Sequence, residues 1–181
     1  MKVLLHVCCG PCASACVPRL EEEGSEVTMY FANSNIDTEE EFEKRRAAAE
    51  ALAAAEGVSV VCARYDHEEW LREVASGLEN EPEKGARCEK CFRYNLSKAA
   101  QYAAANGFDA FTTSLSVSPH KPSRLLFEAG RESSCGARFL EADFKKREGF
   151  KLSVARAKEL GLYRQNYCGC EFSKRAADAN G

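Results

Sequence analysis

Seven of the ten cysteines fall into three tight groups. Cys8, Cys9 and Cys12 lie in HVCCGPC, Cys88 and Cys91 in RCEKCFRY, and Cys168 and Cys170 in YRQNYCGCEFS. Thiols at these spacings can ligate a metal, hold an iron–sulfur cluster or exchange electrons as a dithiol. Cys8 and Cys9 cannot easily bridge to each other, because a disulfide between neighbours strains the backbone. They can turn together toward one multi-metal centre or toward two adjacent metals. Cys88 and Cys91 share a helix face at a spacing of three, and a helix N-terminus is expected to lower their thiol pKa values. C-x-C through Gly169 can chelate a metal or form a strained, easily reduced disulfide.

One zinc or one four-iron cluster needs about four ligands, so seven thiols exceed a single centre. The surplus points to a cluster together with a second metal or a redox-active pair. Iron is favoured over zinc for electron transfer, because zinc has no redox states to offer. Cys16, Cys62 and Cys135 stand alone and read as small buried apolar residues. Tyr163, Arg164 and Tyr167 flank the last pair as a substrate-facing rim, and Lys121 in SPHKP joins Tyr163 and Arg164 as an expected substrate contact. His6 reads as a core histidine, His67 sits in an acidic helix start, and His120 is the histidine best suited to an anionic substrate.

These residues must be positioned by surrounding elements. KVLLHV reads as a buried parallel strand. CASACVPRLEEEG looks helical and is closed by Gly24. EVTMYFAN, VSVVCARY, FDAFTTSLSV and ARFLEADF supply four further strands. Helices are expected over DTEEEFEKRRAAAEALAAAEG and over DHEEWLREVASGL, the latter with Asp66 as N-cap. Two more are expected over CEKCFRYNLSKAAQYAAANG and in the segment after SPHKP. The last stretch, from LSVARAKELG onward, reads as helix, turn and helix. Strands alternating with helices predict a parallel sheet covered on both faces. With no repeat or linker, the 181 residues read as one domain, 1–181.

In such sheets ligands bind beyond the carboxyl ends of the strands, where CCGPC falls. Neither G-x-G-x-x-G nor a Walker lysine is present there, so thiols stand where a nucleotide-binding relative carries phosphate-cradling glycines. No segment has transmembrane length and no signal peptide is apparent, which predicts a cytoplasmic protein without membrane attachment, where structural disulfides are rare. The net charge of −3 hides an asymmetry. Residues 1–87 carry 9 Lys+Arg against 18 Asp+Glu, a net of −9, whereas residues 121–175 carry 13 against 7, a net of +6. A basic C-terminal third is suited to a polyanionic partner.

Together HVCCGPC, NSNI, ENEPEKGARCEKC, FTTSLSVSPHK and YRQNYCGC resemble the cobalamin-independent epoxyqueuosine reductases of the QueH family. The resemblance runs from residue 6 to residue 170. It implies a three-layer α/β/α fold with a five-stranded parallel sheet, similar to the adenine nucleotide α-hydrolase-like (HUP) group. It implies reduction of epoxyqueuosine to queuosine in tRNA, the last step of queuosine biosynthesis, with a [4Fe–4S] cluster, an adjacent iron and an electron donor. Carried over, it makes Cys8, Cys9, Cys88 and Cys91 the cluster ligands, Cys168 and Cys170 a redox-active catalytic pair or ligands to the adjacent iron, and Cys12 a second-metal ligand or a helix-start thiol. The competing readings are an iron–sulfur or persulfide tRNA sulfur-transfer enzyme, a non-catalytic zinc-binding tRNA module, and a metal-free dithiol oxidoreductase.

Overall fold

The computed structural model describes residues 1–174. Five parallel strands form one sheet in the order β3-β2-β1-β4-β5. They are β1 (Lys2–His6), β2 (Glu26–Phe31), β3 (Ser59–Cys62), β4 (Ala110–Thr113) and β5 (Arg138–Phe139). β1 is the central strand, paired on one side with β2, where His6 meets Tyr30, and on the other with β4, where His6 meets Thr113.

Strand alternation builds the three layers. Val3, Leu5 and Val7 enter one core with Met29, Phe31, Phe42, Leu52 and Phe144, whereas Leu4 enters the other with Tyr30, Leu96, Phe111 and Leu126. Both faces of β1 are thus buried, which explains its uninterrupted apolar run. The first core lies under α1 (Gly10–Ala13), α2 (Val17–Glu22) and α3 (Glu39–Glu56), with α7 (Gly149–Glu159) packed against α1. The second lies under α5 (Ala86–Ala105) and α6 (Ser123–Ser133). This is the three-layer α/β/α arrangement expected from the sequence.

Local signals place α3 and its neighbours. Thr38 Oγ1 accepts the Glu41 amide at 3.2 Å, three acids occupy the first turn, and Gly57 closes the helix at φ +69°. Several expectations need correction. The helix after β1 is broken into α1 and α2, with no helix over residues 14–16. Asp66 does not cap α4 (His67–Trp70); its carboxylate is taken by Lys98 instead. α4 widens into a π turn over Leu71–Ala75. The fourth strand ends at Thr113 in a 3-10 turn, Ser114–Val117, and the fifth keeps only two residues of ARFLEADF. Residues 162–170 are irregular, and helix resumes only over residues 171–174 of the described chain. Cys16 is buried as expected, but Cys62 is only half-buried and Cys135 is exposed.

Candidate functional site: two thiol groups at one cleft

The winding direction reverses between β1 and β4, so the crevice lies beyond their carboxyl ends. A cleft of about 580 Å³ opens there, lined by Cys8, Cys9, Cys12, Cys91 and Cys168 among others. A small side pocket brings Cys88, Cys91, Cys168 and Cys170 together. All ten cysteines are free thiols.

The first group follows directly from β1. The sulfurs of Cys8, Cys9 and Cys12 lie within 4.8 Å of one another, and those of Cys8 and Cys9 are 3.8 Å apart. The turn that carries them is set by main chain. Gly10 packs α1 against α3 so closely that a Cβ would sit 2.5 Å from the Ala48 carbonyl. Ser114, just past β4, accepts the Cys8 amide at 3.1 Å and donates its hydroxyl to Cys8 Sγ at 3.4 Å. Proton sharing makes the three thiols unequal. Cys9 is held well below the usual thiol range by hydrogen bonds from Cys12 and Cys8, with Gln165 also contributing. Cys12 is pushed well up by the same sharing with Cys8 and Cys9, and by burial. Cys8 is pushed up to about 11: its hydrogen bond with Cys12 favours the thiolate, but sharing with Cys9 and burial outweigh it.

The second group is assembled from distant segments. Cys88 and Cys91 sit in the first turns of α5, and the Lys84 amide donates to Cys88 Sγ at 3.3 Å. The indole N–H of Trp70 (3.3 Å) and the amide of Asn95 (3.5 Å) both donate to Cys91 Sγ. An indole N–H can only donate, so this sulfur is an acceptor. The lowered thiol pKa values expected at the helix start are not found. Burial pushes Cys88 up and Cys91 well up, outweighing the helix end.

Cys168 and Cys170 are held by side chains reaching from α3 and its entry loop. Arg45, 2% exposed, pairs with Glu41 at 2.6 Å and donates to the carbonyls of Cys168 (2.8 Å) and Tyr167 (3.3 Å). The Asp37 amide donates to the Gly169 carbonyl at 2.9 Å, and Tyr167 Oη donates to Asp37 at 2.7 Å. Gly169 has φ +141°, and a Cβ there would lie 2.8 Å from Asn35 Nδ2. The linker of C-x-C therefore has to be glycine.

Lys121 lies between the two groups, with Nζ 3.5 Å from Cys168 Sγ. Negative charge on Cys168, then on Cys8 and Cys12, pushes its pKa up despite burial, so the ammonium is retained. Arg164 and His120 also line the cleft. Tyr163 does not; its hydroxyl donates to Glu41 at 2.7 Å, bracing the Arg45 partner. His6 is a satisfied core histidine, bonded to Thr113 (2.9 Å) and the Ala32 carbonyl (3.2 Å). Among the described residues, Cys8, Cys9 and Cys12 are thus the group whose sulfurs lie in metal-ligating proximity, whereas Cys88, Cys91, Cys168 and Cys170 share the lining of the side pocket. Sequence reasoning missed Arg45, Trp70, Asn95 and Gln165. Arg45 carried no visible signal within a helix rich in charge and alanine, while Asn95 sits one turn after Cys91, a spacing that places both on one face.

The class these features define is a doubly wound parallel α/β protein whose ligand-binding end carries three thiols close enough to hold a metal ion. The chain belongs to the QueH family: the family model described as Epoxyqueuosine reductase QueH matches residues 3–176. Among its relatives, Epoxyqueuosine reductase QueH of Streptococcus pyogenes serotype M1 is 38% identical over 96% of this chain and 71% of its own length. That of Thermotoga maritima (strain MSB8) is 34% identical over 94% of this chain and 89% of its own. Two solved structures share the fold. The U34-tRNA thiolase NcsA from Methanococcus maripaludis, solved with its [4Fe–4S] cluster, superposes with TM-score 0.59 at 12% identity, over 99% of this chain and 65% of that one. A predicted subunit of tRNA methyltransferase from Methanocaldococcus jannaschii gives 0.55 at 10%, covering 89% and 88%. No helix among the described residues is long and apolar enough to cross a membrane.

Proposed function

We propose that this chain reduces epoxyqueuosine to queuosine in tRNA, and that its two thiol groups hold two different metal centres. In the reaction both C–O bonds of the epoxide break, two electrons and two protons enter, and an alkene and water leave. The observation that carries the reading is the convergence of seven thiols from three segments on one cleft, in a chain of the QueH family.

The donor sets fit metal centres. A tetrahedral ion with metal–sulfur bonds of about 2.3 Å has sulfur–sulfur edges of roughly 3.8 Å, and Cys8 and Cys9 stand at 3.8 Å. Cys8, Cys9 and Cys12 would hold a single ion. Cys88, Cys91, Cys168 and Cys170 supply the four thiolates that a [4Fe–4S] cluster takes. When bound, the cluster supplies electrons one at a time and the ion a Lewis acid for the departing oxygen. This allocation moves Cys12 to the single ion with Cys8 and Cys9, and makes Cys168 and Cys170 ligands rather than a disulfide pair.

The protein's own groups do the remaining work. The Lys121 ammonium places positive charge between the two thiol groups, where it can meet the negative charge of the departing oxygen. Trp70 and Asn95 spend their N–H groups on Cys91 and stabilise its thiolate. Arg45 and Gly169 fix the backbone of the C-x-C loop. The basic stretch of residues 121–175 meets tRNA phosphates, so added salt should weaken binding.

Anaerobic reconstitution with iron and sulfide, followed by nucleoside analysis of epoxyqueuosine-bearing tRNA, tests the reading. Queuosine formation is expected from the loaded protein; none from fully loaded protein with a reductant would overturn it. Cys12→Ser should lose about one iron and keep the brown colour of the four-iron cluster, whereas Cys91→Ser should lose the colour. Loss of colour in Cys8→Ser would return the cluster to Cys8, Cys9, Cys88 and Cys91.

A further inference from the structure

One end of the cleft carries a feature that the reduction itself does not use. Phe150, in the first turn of α7, lines the cleft yet is 40% exposed. The Arg164 guanidinium lies over its ring at 5.5 Å from the centroid. Ser153, one turn along the same helix face, lines the cleft too. An aromatic ring left open to solvent beside a guanidinium forms a flat π surface with positive charge attached.

The charge around this surface narrows what it can receive. Among the described residues that line the cleft the only carboxylate is Glu83, against Lys84, Lys121 and Arg164, in addition to the Glu41-paired Arg45. Among the described residues, Lys84, Lys121 and Arg164 have no carboxylate within ion-pair distance, and neither does Lys145, whose ammonium donates to the Lys121 carbonyl at 2.7 Å. An aliphatic partner would leave these charges unused, and an acidic one would leave the ring unused. A single-stranded nucleotide answers both features, with its base stacking on the ring and its phosphate meeting the free cations.

Resting on the tRNA reading above, we infer that Phe150 and Arg164 form a stacking platform for an unpaired nucleobase of the RNA loop at the mouth of the cleft. Recognition there is by stacking and charge, so it is tolerant of base identity. Phe150 and Arg164 are positioning residues for the RNA and stand apart from the thiol centres.

The test uses iron-loaded protein and a fluorescently labelled anticodon stem-loop RNA, read by anisotropy. Phe150→Ala should weaken binding about 5- to 100-fold, the range set by loss of one base–aromatic stack. Phe150→Trp should restore binding to within about 2-fold, since every aromatic face stacks. Leu152→Ala, an exposed side chain on the same helix that does not line the cleft, should bind as the unaltered protein does. Arg164→Lys should retain most of the salt dependence and lose part of the affinity, because lysine keeps the charge and loses the planar stack. On full-length tRNA, Phe150→Ala should raise KM and leave kcat unchanged. Equal binding by the unaltered protein and Phe150→Ala, with normal turnover, overturns the platform and leaves the reductase reading standing. Failure of the unaltered protein to bind or turn over RNA overturns both.

Discussion

The two thiol groups share a cleft but are positioned by opposite means. Cys8, Cys9 and Cys12 are placed by main chain. They follow the central strand without a gap, and their turn is fixed by the approach of Gly10 to the Ala48 carbonyl. Cys168 and Cys170 are brought to Cys88 and Cys91 largely by side chains. Arg45, Asp37, Tyr167 and Trp70 reach between segments that neither pair in the sheet nor continue one another. The first group is therefore as rigid as the fold, whereas the second depends on a few polar contacts that can be removed singly.

The largest blow to that contrast is Arg45→Ala. It leaves Glu41 buried without its cation, which costs about 3–5 kcal/mol, and it frees the carbonyls of Tyr167 and Cys168. Urea unfolding should show the lost stability, and iron analysis should show the cluster gone with metal retained at Cys8, Cys9 and Cys12. A full cluster in this variant would mean that the loop is not held by Arg45. Gly10→Ala attacks the other side. Its methyl collides with backbone and should cost about 1–3 kcal/mol, with loss of the single ion and retention of cluster colour. Gly169→Ala, at a φ that disfavours a side chain, should cost a similar 1–3 kcal/mol and give the reverse pattern of metal loss.

Trp70→Phe is a finer probe. It keeps an aromatic ring against His67, whose centroid lies 5.4 Å away, and removes only the N–H donor to Cys91. Stability should fall by about 1 kcal/mol. The cluster's reduction potential should drop, since a donated hydrogen bond favours the more negative state. An unchanged potential would show that the indole packs without tuning the sulfur.

The smallest effect concerns pH. Burial lowers the His67 pKa, but hydrogen bonds with Glu171 and the Ser34 carbonyl outweigh it, so the net shift is upward. A raised folded pKa adds stability that is fully present below the unfolded value of about 6.5 and is lost as pH rises through the folded one. His67→Gln should flatten that decline in a denaturation series across neutral pH. A decline identical to that of the unaltered protein would assign it elsewhere.

The sheet and the identity of the seven thiols were legible from sequence because both are local. Buried parallel strands read as apolar runs, and thiols announce themselves by type and spacing. The pairing of groups was not. Cys12 lies one helical turn after Cys8, a spacing that already hinted at a shared face. The meeting of Cys91 with Cys168 and Cys170 depends on the tertiary fold and leaves no local trace. The thiol pKa expectation failed for a similar reason: helix ends are visible in sequence, whereas desolvation is not. Arg45 reads as one more surface charge in a helix of Glu, Lys, Arg and Ala, and only packing shows that it is buried. Tyr163 stood beside the cysteines in sequence, yet it turns to Glu41.

The anchoring of Tyr167 on Asp37 spans 130 residues of chain. The central strand and its helix α1 can form while the protein is still being synthesised, but the second thiol group cannot close until the C-x-C loop has left the ribosome and returned to the entry of α3. The meeting of Cys168 and Cys170 with Cys88 and Cys91 is thus a late folding event, and an early-folding sheet must wait with its ligand-binding end unfinished. The order in which the two thiol groups are completed follows from the order of the chain.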